Sequence, residues 1–212
     1  MEIRNLNSVR ALAVFVVIVS HYSNVIGIFH GVLGHGGGQF GVMLFFMLSG
    51  FLMAYLYLSQ KPSKETISAF ARARIGRVIP LFLVVVVISF LERTFLGTKL
   101  FYDVNGPTSL VEHLLLLKGD DALWSIGPEI QFYLLFVVFW LAYSFSRKYA
   151  ILIASLVGLL ILGLGSPVIH SDFLNLEIDC YLLPSIPYFI VGIIFGHRSE
   201  EHTSELQSQF RI

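Results

Sequence analysis

Three small sets of polar residues interrupt long apolar runs. Ionisable groups in such settings are functional candidates, because hydrocarbon makes them costly. The first set is Arg10 with His21. Eleven residues of helix turn through about 1100°, about 20° from three full turns, so both lie on one face, about 16 Å apart along the axis. Arg10 then sits at the mouth of an apolar run and His21 near its middle. Burial favours the neutral imidazole, which can accept a proton. A core histidine bonded to a neighbouring carbonyl would show the same pattern. The second set is Arg72, Arg74 and Arg77, just before Ile79-Pro80. Arg74 and Arg77 are neighbours on a helix face. Guanidinium forks match phosphate oxygens, although positive-charge anchoring of topology explains the cluster equally well. The third is Trp124-Ser125-Ile126-Gly127-Pro128-Glu129. Gly-Pro interrupts a helix, and a new one can begin with Pro128 in its first turn. Glu129 then sits where the helix dipole favours negative charge and burial opposes it. It reads as the only carboxylate clearly set inside an apolar run, open to pairing with an Arg or His of another span. A plain helix-start residue at the outer interface would look the same.

The elements that position these residues are long apolar runs. Spans are expected at about Ala11–Phe29, Phe40–Leu58, Ile79–Leu91, Pro128–Phe145, Tyr149–Leu164 and Leu183–Phe195. Pro80 is expected in the first turn of the third. A Gly-rich stretch, His30 to Gln39, joins the first two spans. A mixed loop, Glu92 to Leu123, contains the apolar piece Leu110–Leu117, which is too short to span and reads as interfacial or re-entrant. A second loop, Gly165 to Leu182, carries Asp172, Glu177 and Asp179 with no Lys or Arg. Within Phe40–Leu58, Gly41, Ser49 and Gly50 allow close helix approach, with Phe45 and Phe46 beside them. The fold class is therefore all-α: a polytopic transmembrane helix bundle with about six spans of a larger bundle.

Composition agrees. The 212 residues are 56% hydrophobic and 13% charged, with mean hydropathy +0.77, where soluble domains carry about 25% charged residues. Formal net charge is zero, so nucleic-acid binding has no electrostatic support. The single cysteine, Cys180, reads as a packing residue, and no spacing suggests a metal site. Lys61, Lys64, Arg72, Arg74, Arg77, Arg147 and Lys148 concentrate positive charge in alternate loops, which places the N-terminus in the cytoplasm. His35-Gly36-Gly37-Gly38 resembles a lipase oxyanion loop, but the chain has no Gly-x-Ser-x-Gly elbow, no Walker A pattern and no His-Glu-x-x-His. From Arg198 the composition turns abruptly polar, and the string resembles the translation of a sequencing-library adapter. Residues 1–197 are thus expected to be a partial transmembrane domain and 198–212 a non-native tail.

Four stretches together resemble the membrane acyltransferase-3 family of bacterial O-acyltransferases. Arg10 to His21 fits its arginine-x10-histidine motif, and Gly41–Phe51 fits its Leu-Ser-Gly-Phe segment. Arg74–Pro80 fits Arg-x-x-Arg-Ile-x-Pro, and Trp124–Tyr133 fits Trp-Ser-Leu-x-x-Glu-x-x-Phe-Tyr, all in the family's order. Ala73, Val78 and Ile126 are mild departures. The resemblance covers the first six of the family's usual ten or so spans. It implies an enzyme of the bacterial plasma membrane that moves an acetyl or similar acyl group from acyl-CoA to a hydroxyl of a glycan or lipid-linked envelope acceptor. It implies a catalytic set of His21, Arg10 and Glu129, with Arg72, Arg74, Arg77, Trp124, Ser125 and Tyr133 binding donor or substrate. No tightly bound cofactor or metal is implied; the partners are acyl-CoA (acetyl-CoA foremost), the acceptor and membrane lipids. Two other readings use the same residues: a transporter or permease, and an inactive truncated fragment.

Overall fold

The apolar runs fold as helices, because hydrocarbon offers the backbone no hydrogen-bond partners and a helix satisfies its own. The computed structural model describes residues 4–26, 37–99, 102–119, 121–165, 168–173 and 176–209. The elements are α1 (Arg4–Ile26), α2 (Gly37–Tyr57), α3 (Lys64–Leu96), α4 (Gly106–Leu114), a short 3-10 helix (Asp121–Ser125), α5 (Ile126–Phe145), α6 (Arg147–Gly163), an antiparallel hairpin β1–β2 (Ile169–Phe173, Leu176–Cys180) and α7 (Leu182–Gln209). Among the described residues, four helices are long and apolar enough to cross a membrane: Leu6–Asn24, Gly37–Tyr57, Lys64–Leu96 and Asp121–Phe145. The fifth and sixth expected spans are helical too; α6, at 17 residues, reaches the lower limit of about 17 for a span. The protein is thus an all-α membrane protein. Its apolar side chains face outward in number, among them Leu81, Val84, Leu134, Val138, Leu159 and Leu160, as lipid contact requires.

Two sequence expectations change. The third span is not a short helix with Pro80 in its first turn. It is a helix of 33 residues that begins at Lys64 and carries Pro80 in its interior. The start is set by a capping box: the Ser63 hydroxyl accepts from Thr66 N–H at 3.2 Å, and Thr66 Oγ1 accepts from Ser63 N–H at 2.8 Å. At about 1.5 Å per residue the helix is about 50 Å long, against about 30 Å of hydrocarbon, so its basic N-terminal part extends beyond the apolar layer. The acidic loop 165–182 is not irregular throughout, since it holds the hairpin. Most of the Gly-rich stretch, residues 30–36 with His35 and Gly36, lies outside the described residues, as do the side chains of Asp172, Glu177, Asp179 and Cys180. Backbone helix continues from α7 through 198–209, the segment read as foreign.

The chain divides into two packing units, Met1–Ser59 with Pro187–Ile212, and Gln60–Ile186. In the first, small residues let helices touch backbone to backbone. A Cβ at Gly41 would meet the Ala13 carbonyl oxygen on α1 at 2.8 Å, and one at Gly50 would overlap the Phe189 carbonyl on α7. Gly192 and Gly196, four apart on α7, press likewise on Met47 and Phe51 of α2, a small-xxx-small contact. Phe46 stacks on Phe189 with centroids 4.7 Å apart. In the second unit, one stripe of α3, Phe70, Arg74, Phe82, Val86, Ser89 and Glu92, is buried. Phe70 meets the α5 rings of Tyr133, Phe136 and Trp140 at 6.1, 5.4 and 6.4 Å. Further along, Phe82 and Val86 pack with Leu123, joined by Ile79 and Ile126. Trp140 Nε1 donates to the Gln60 carbonyl at 3.0 Å, tying the far end of α5 to the approach of α3.

Candidate functional site

In the first unit, α1 packs on α2 through Ala13, Val17 and Ser20. Ser20 Oγ accepts from the Gly38 N–H at 2.7 Å, so the serine beside His21 makes the seam. His21 itself is exposed, off the packed face, and makes no hydrogen bond with a described residue. It is therefore not the satisfied core histidine that the sequence left open. Arg10, partly buried on the same helix, donates from Nη1 to Asn7 Oδ1 at 3.5 Å, a long contact.

The second unit holds the other two polar sets. The arginines do not act as one patch: Arg74 is 7% exposed on the buried stripe, whereas Arg72 and Arg77 are exposed. Arg72, two residues from Arg74, lies on the opposite side of the helix, and Arg77, three residues on, lies about 60° round from it at the rim of the buried stripe. No described carboxylate lies within ion-pair distance of Arg74; an ion pair of Arg93 Nε with Asp103 Oδ1 at 3.3 Å stands half exposed at the far end of α3. Glu129 stands in the first turn of α5, as the Gly127-Pro128 break implies, with both of those residues buried. Its Oε1 accepts from the Tyr133 hydroxyl at 2.5 Å, one turn further on. Tyr133 is buried at 5% exposure, and its ring meets Phe70 edge-on.

Trp124 and Ser125 lie in the 3-10 helix that leads into α5. Ser125 does not cap α5; its hydroxyl donates back to the Ala122 carbonyl at 3.0 Å. The Trp124 ring leans on Tyr181, centroids 5.1 Å apart. Leu116, Lys118, Gly119, Trp124, Gln131 and Tyr181 line a narrow crevice there. Gly119 is essential to its shape, since a Cβ would come within 2.5 Å of the Trp124 Cα.

The sequence reading missed three ionisable groups. Glu129 is only partly buried, whereas Glu92 and Glu112 are 8% and 4% exposed and His113 is fully buried. Glu92 accepts from Thr98 Oγ1 at 2.7 Å, and His113 Nδ1 donates to the Ser109 carbonyl at 2.8 Å. The signal was present: Glu112-His113 is flanked by Leu110-Val111 and Leu114–Leu117, and Glu92 ends the apolar run of α3. Nearby, burial and then the charge of Asp121 push the Tyr102 phenol above its usual value, which keeps that hydroxyl a donor.

Comparison with known proteins gives this geometry its setting. No solved structure matches the chain. O-acetyltransferase OatA of Staphylococcus aureus (strain NCTC 8325 / PS 47) is 30% identical, the match covering 75% of this chain and 28% of that protein. Peptidoglycan O-acetyltransferase OatA of Listeria monocytogenes serovar 1/2a (strain ATCC BAA-679 / EGD-e) is 25% identical over 73% of this chain and 27% of its own length. The chain thus spans under a third of the length of the curated relatives it matches. A family model for an acyltransferase domain matches residues 3–211, nearly the whole sequence. The chain belongs to the acyltransferase-3 family.

Proposed function

We propose that the protein is a membrane O-acyltransferase that moves an acetyl group from acyl-CoA to a hydroxyl of a cell-envelope glycan. The observation that carries the donor side is Arg74, buried on α3 with no described carboxylate in reach. A buried guanidinium without a counter-charge is costly, and phosphate is its natural partner. Arg72 and Arg77, exposed on the same helix, supply further positive charge for the donor phosphates. His21 is the proton acceptor, held on α1 away from the packing seam. Arg10 neutralises charge at the mouth of that helix, and Glu129 with Trp124 and Ser125 binds the acceptor.

The step balances simply. The acceptor oxygen bonds the acyl carbon, the carbon–sulfur bond breaks, and the hydroxyl proton passes through His21 to the departing sulfur. An acyl-histidine relay would divide the same chemistry into two transfers. The orientation with a cytoplasmic N-terminus in the bacterial plasma membrane puts the basic part of α3 on the donor's side. The relatives are O-acetyltransferases by name, which favours acyl transfer over permeation as the use of these residues. The test is transfer of labelled acetyl from acetyl-CoA to envelope glycan in membrane vesicles carrying the protein. His21→Ala should lower it at least about a hundredfold, the usual range for general-base loss. Full transfer by His21→Ala would refute the scheme. Uptake of a solute with no acetylated product would favour the permease.

A further inference from the structure

The crevice beside Trp124 takes its walls from four places in the chain: the turn after α4, the 3-10 helix, the first turns of α5, and Tyr181 beyond the hairpin. All belong to the second packing unit. The walls are held by backbone. Leu116 sits at φ 58°, a left-handed conformation unfavourable for leucine, and packs against Phe82, Val86 and Leu123. Gly119 presses on the Trp124 backbone. Strain enforced by surrounding packing concentrates at ligand sites. The crevice is narrow, with room for about one water-sized group. Gln131 lines it, and its Oε1 is buried with no hydrogen-bond partner among the described residues. Buried carboxamides are normally paired, and an orphaned acceptor disfavours folding unless a ligand uses it. By turning about its last bond, the amide offers the crevice either an acceptor or two donors. Beside it the Trp124 and Tyr181 rings, centroids 5.1 Å apart, form an apolar ledge. Lys118 adds an ammonium to the lining.

We propose that the crevice is an anchoring subsite for a saccharide: one hydroxyl enters it and bonds the Gln131 carboxamide, while the C–H face of the ring rests on Trp124. An apolar ledge with a few convergent polar groups is the makeup of a small-molecule site, and a hydroxyl set on an apolar C–H face is what a pyranose presents. Gln131 follows Glu129 by two residues, about 200° round α5. The anchored hydroxyl therefore belongs to a different part of the acceptor from the group that Glu129 meets. In the orientation proposed above, this end of α5 faces outward, where an envelope glycan lies. The inference rests on the acyl-transfer reading for the role of the saccharide as acceptor, and adds Gln131, Lys118 and Tyr181 to its binding site.

The test uses the whole chain in lipid nanodiscs, which carry no sugar headgroup to compete. The probe is a trisaccharide of N-acetylglucosamine, titrated by tryptophan emission. The chain has two tryptophans, and Trp140 is fully buried, so a change on binding reports Trp124. Gln131→Met keeps the shape and removes the amide. It should weaken trisaccharide binding about tenfold, the size of one buried hydrogen bond. Its melting point should equal or exceed that of wild type, because the orphaned acceptor is gone. The per-O-methylated trisaccharide, with the same rings and no hydroxyl, should bind wild type and Gln131→Met equally weakly. No trisaccharide binding by wild type overturns the inference, and so does wild-type affinity in Gln131→Met. A Gln131→Met protein that loses both binding and stability overturns it too, since the amide then serves the fold. Labelled acetyl transfer, measured on the same proteins, separates the two readings. Transfer without binding at the crevice sinks this inference alone. Gln131-dependent binding in a protein that transfers nothing sinks the acyl-transfer reading and leaves the saccharide site standing.

Discussion

At the residue scale, the three arginines before Pro80 show why position on a helix matters more than membership of a cluster. Arg74 is buried on the α3 stripe that also holds Phe70 and Phe82, while Arg72 and Arg77 are exposed. A planar fork at a buried site cannot be replaced by a point charge. Arg74→Lys should therefore lower labelled acetyl transfer at least about tenfold, while Arg72→Lys should stay within about twofold, since an exposed charge is interchangeable. Equal losses would show that exposure does not separate their roles. Gly119 offers a second prediction. Its missing side chain lets the chain press on the Trp124 backbone, so Gly119→Ala should displace the Trp124–Tyr181 contact and cost about 1–3 kcal/mol. A shifted tryptophan emission with a lower melting point would record it. The residue scale was legible in part. His21, Arg10 and Glu129 announced themselves as polar groups in apolar runs. The burial of Glu92, Glu112 and His113 did not, because it depends on α4 lying against α3.

At the scale of elements, α3 is the part the sequence misjudged. Proline was read as a helix start, yet Ser63 and Thr66 cap the chain well before it. Pro80 lacks an N–H, so the carbonyl of Gly76, four residues earlier, loses its usual intrahelical donor. Membrane helices tolerate such a break when neighbours compensate. Here Ile79 and Phe82 on either side pack with Leu123 and Ile126. The cap is a local device with a local cost: Ser63→Ala should destabilise by about 1 kcal/mol without changing the other helices, read as a lower melting point with unchanged circular dichroism. The α2–α7 contact is less forgiving. Gly192 lies against the Met47 carbonyl, and a β-branched side chain there must push whole helices apart. Gly192→Val should cost about 1–3 kcal/mol or more through overpacking, and stability equal to wild type would deny that contact. Gly41, Ser49 and Gly50 were read in advance as small residues for close approach, and Gly41 and Gly50 do serve α1 and α7 respectively.

At the scale of the whole molecule, the apolar helices settle residence in a membrane, and charge distribution proposes the orientation. With Cys180 changed to Ser, a cysteine placed at Lys64 should react with an impermeant thiol reagent only from the cytoplasmic side. One placed at Asp103, beyond the other end of α3, should react only from outside. The same side for both would contradict a single crossing by α3. What the sequence determined by itself was set by local rules. Hydrocarbon demands apolar helices of a given length, so fold class and the rarity of polar groups within apolar runs could be read directly. The hairpin was not read: Leu176–Cys180 does alternate apolar and polar residues, but over only five positions, and its partner Ile169–Phe173 does not. What only the tertiary structure decided was which polar groups are buried and at what depth those of different helices lie. Arg74 and Glu129 are far apart in the chain, and their common depth follows from how Phe70 and Phe82 pack on α5 and its leading turn. That depends on side-chain shape across two helices, which no local rule of spacing encodes.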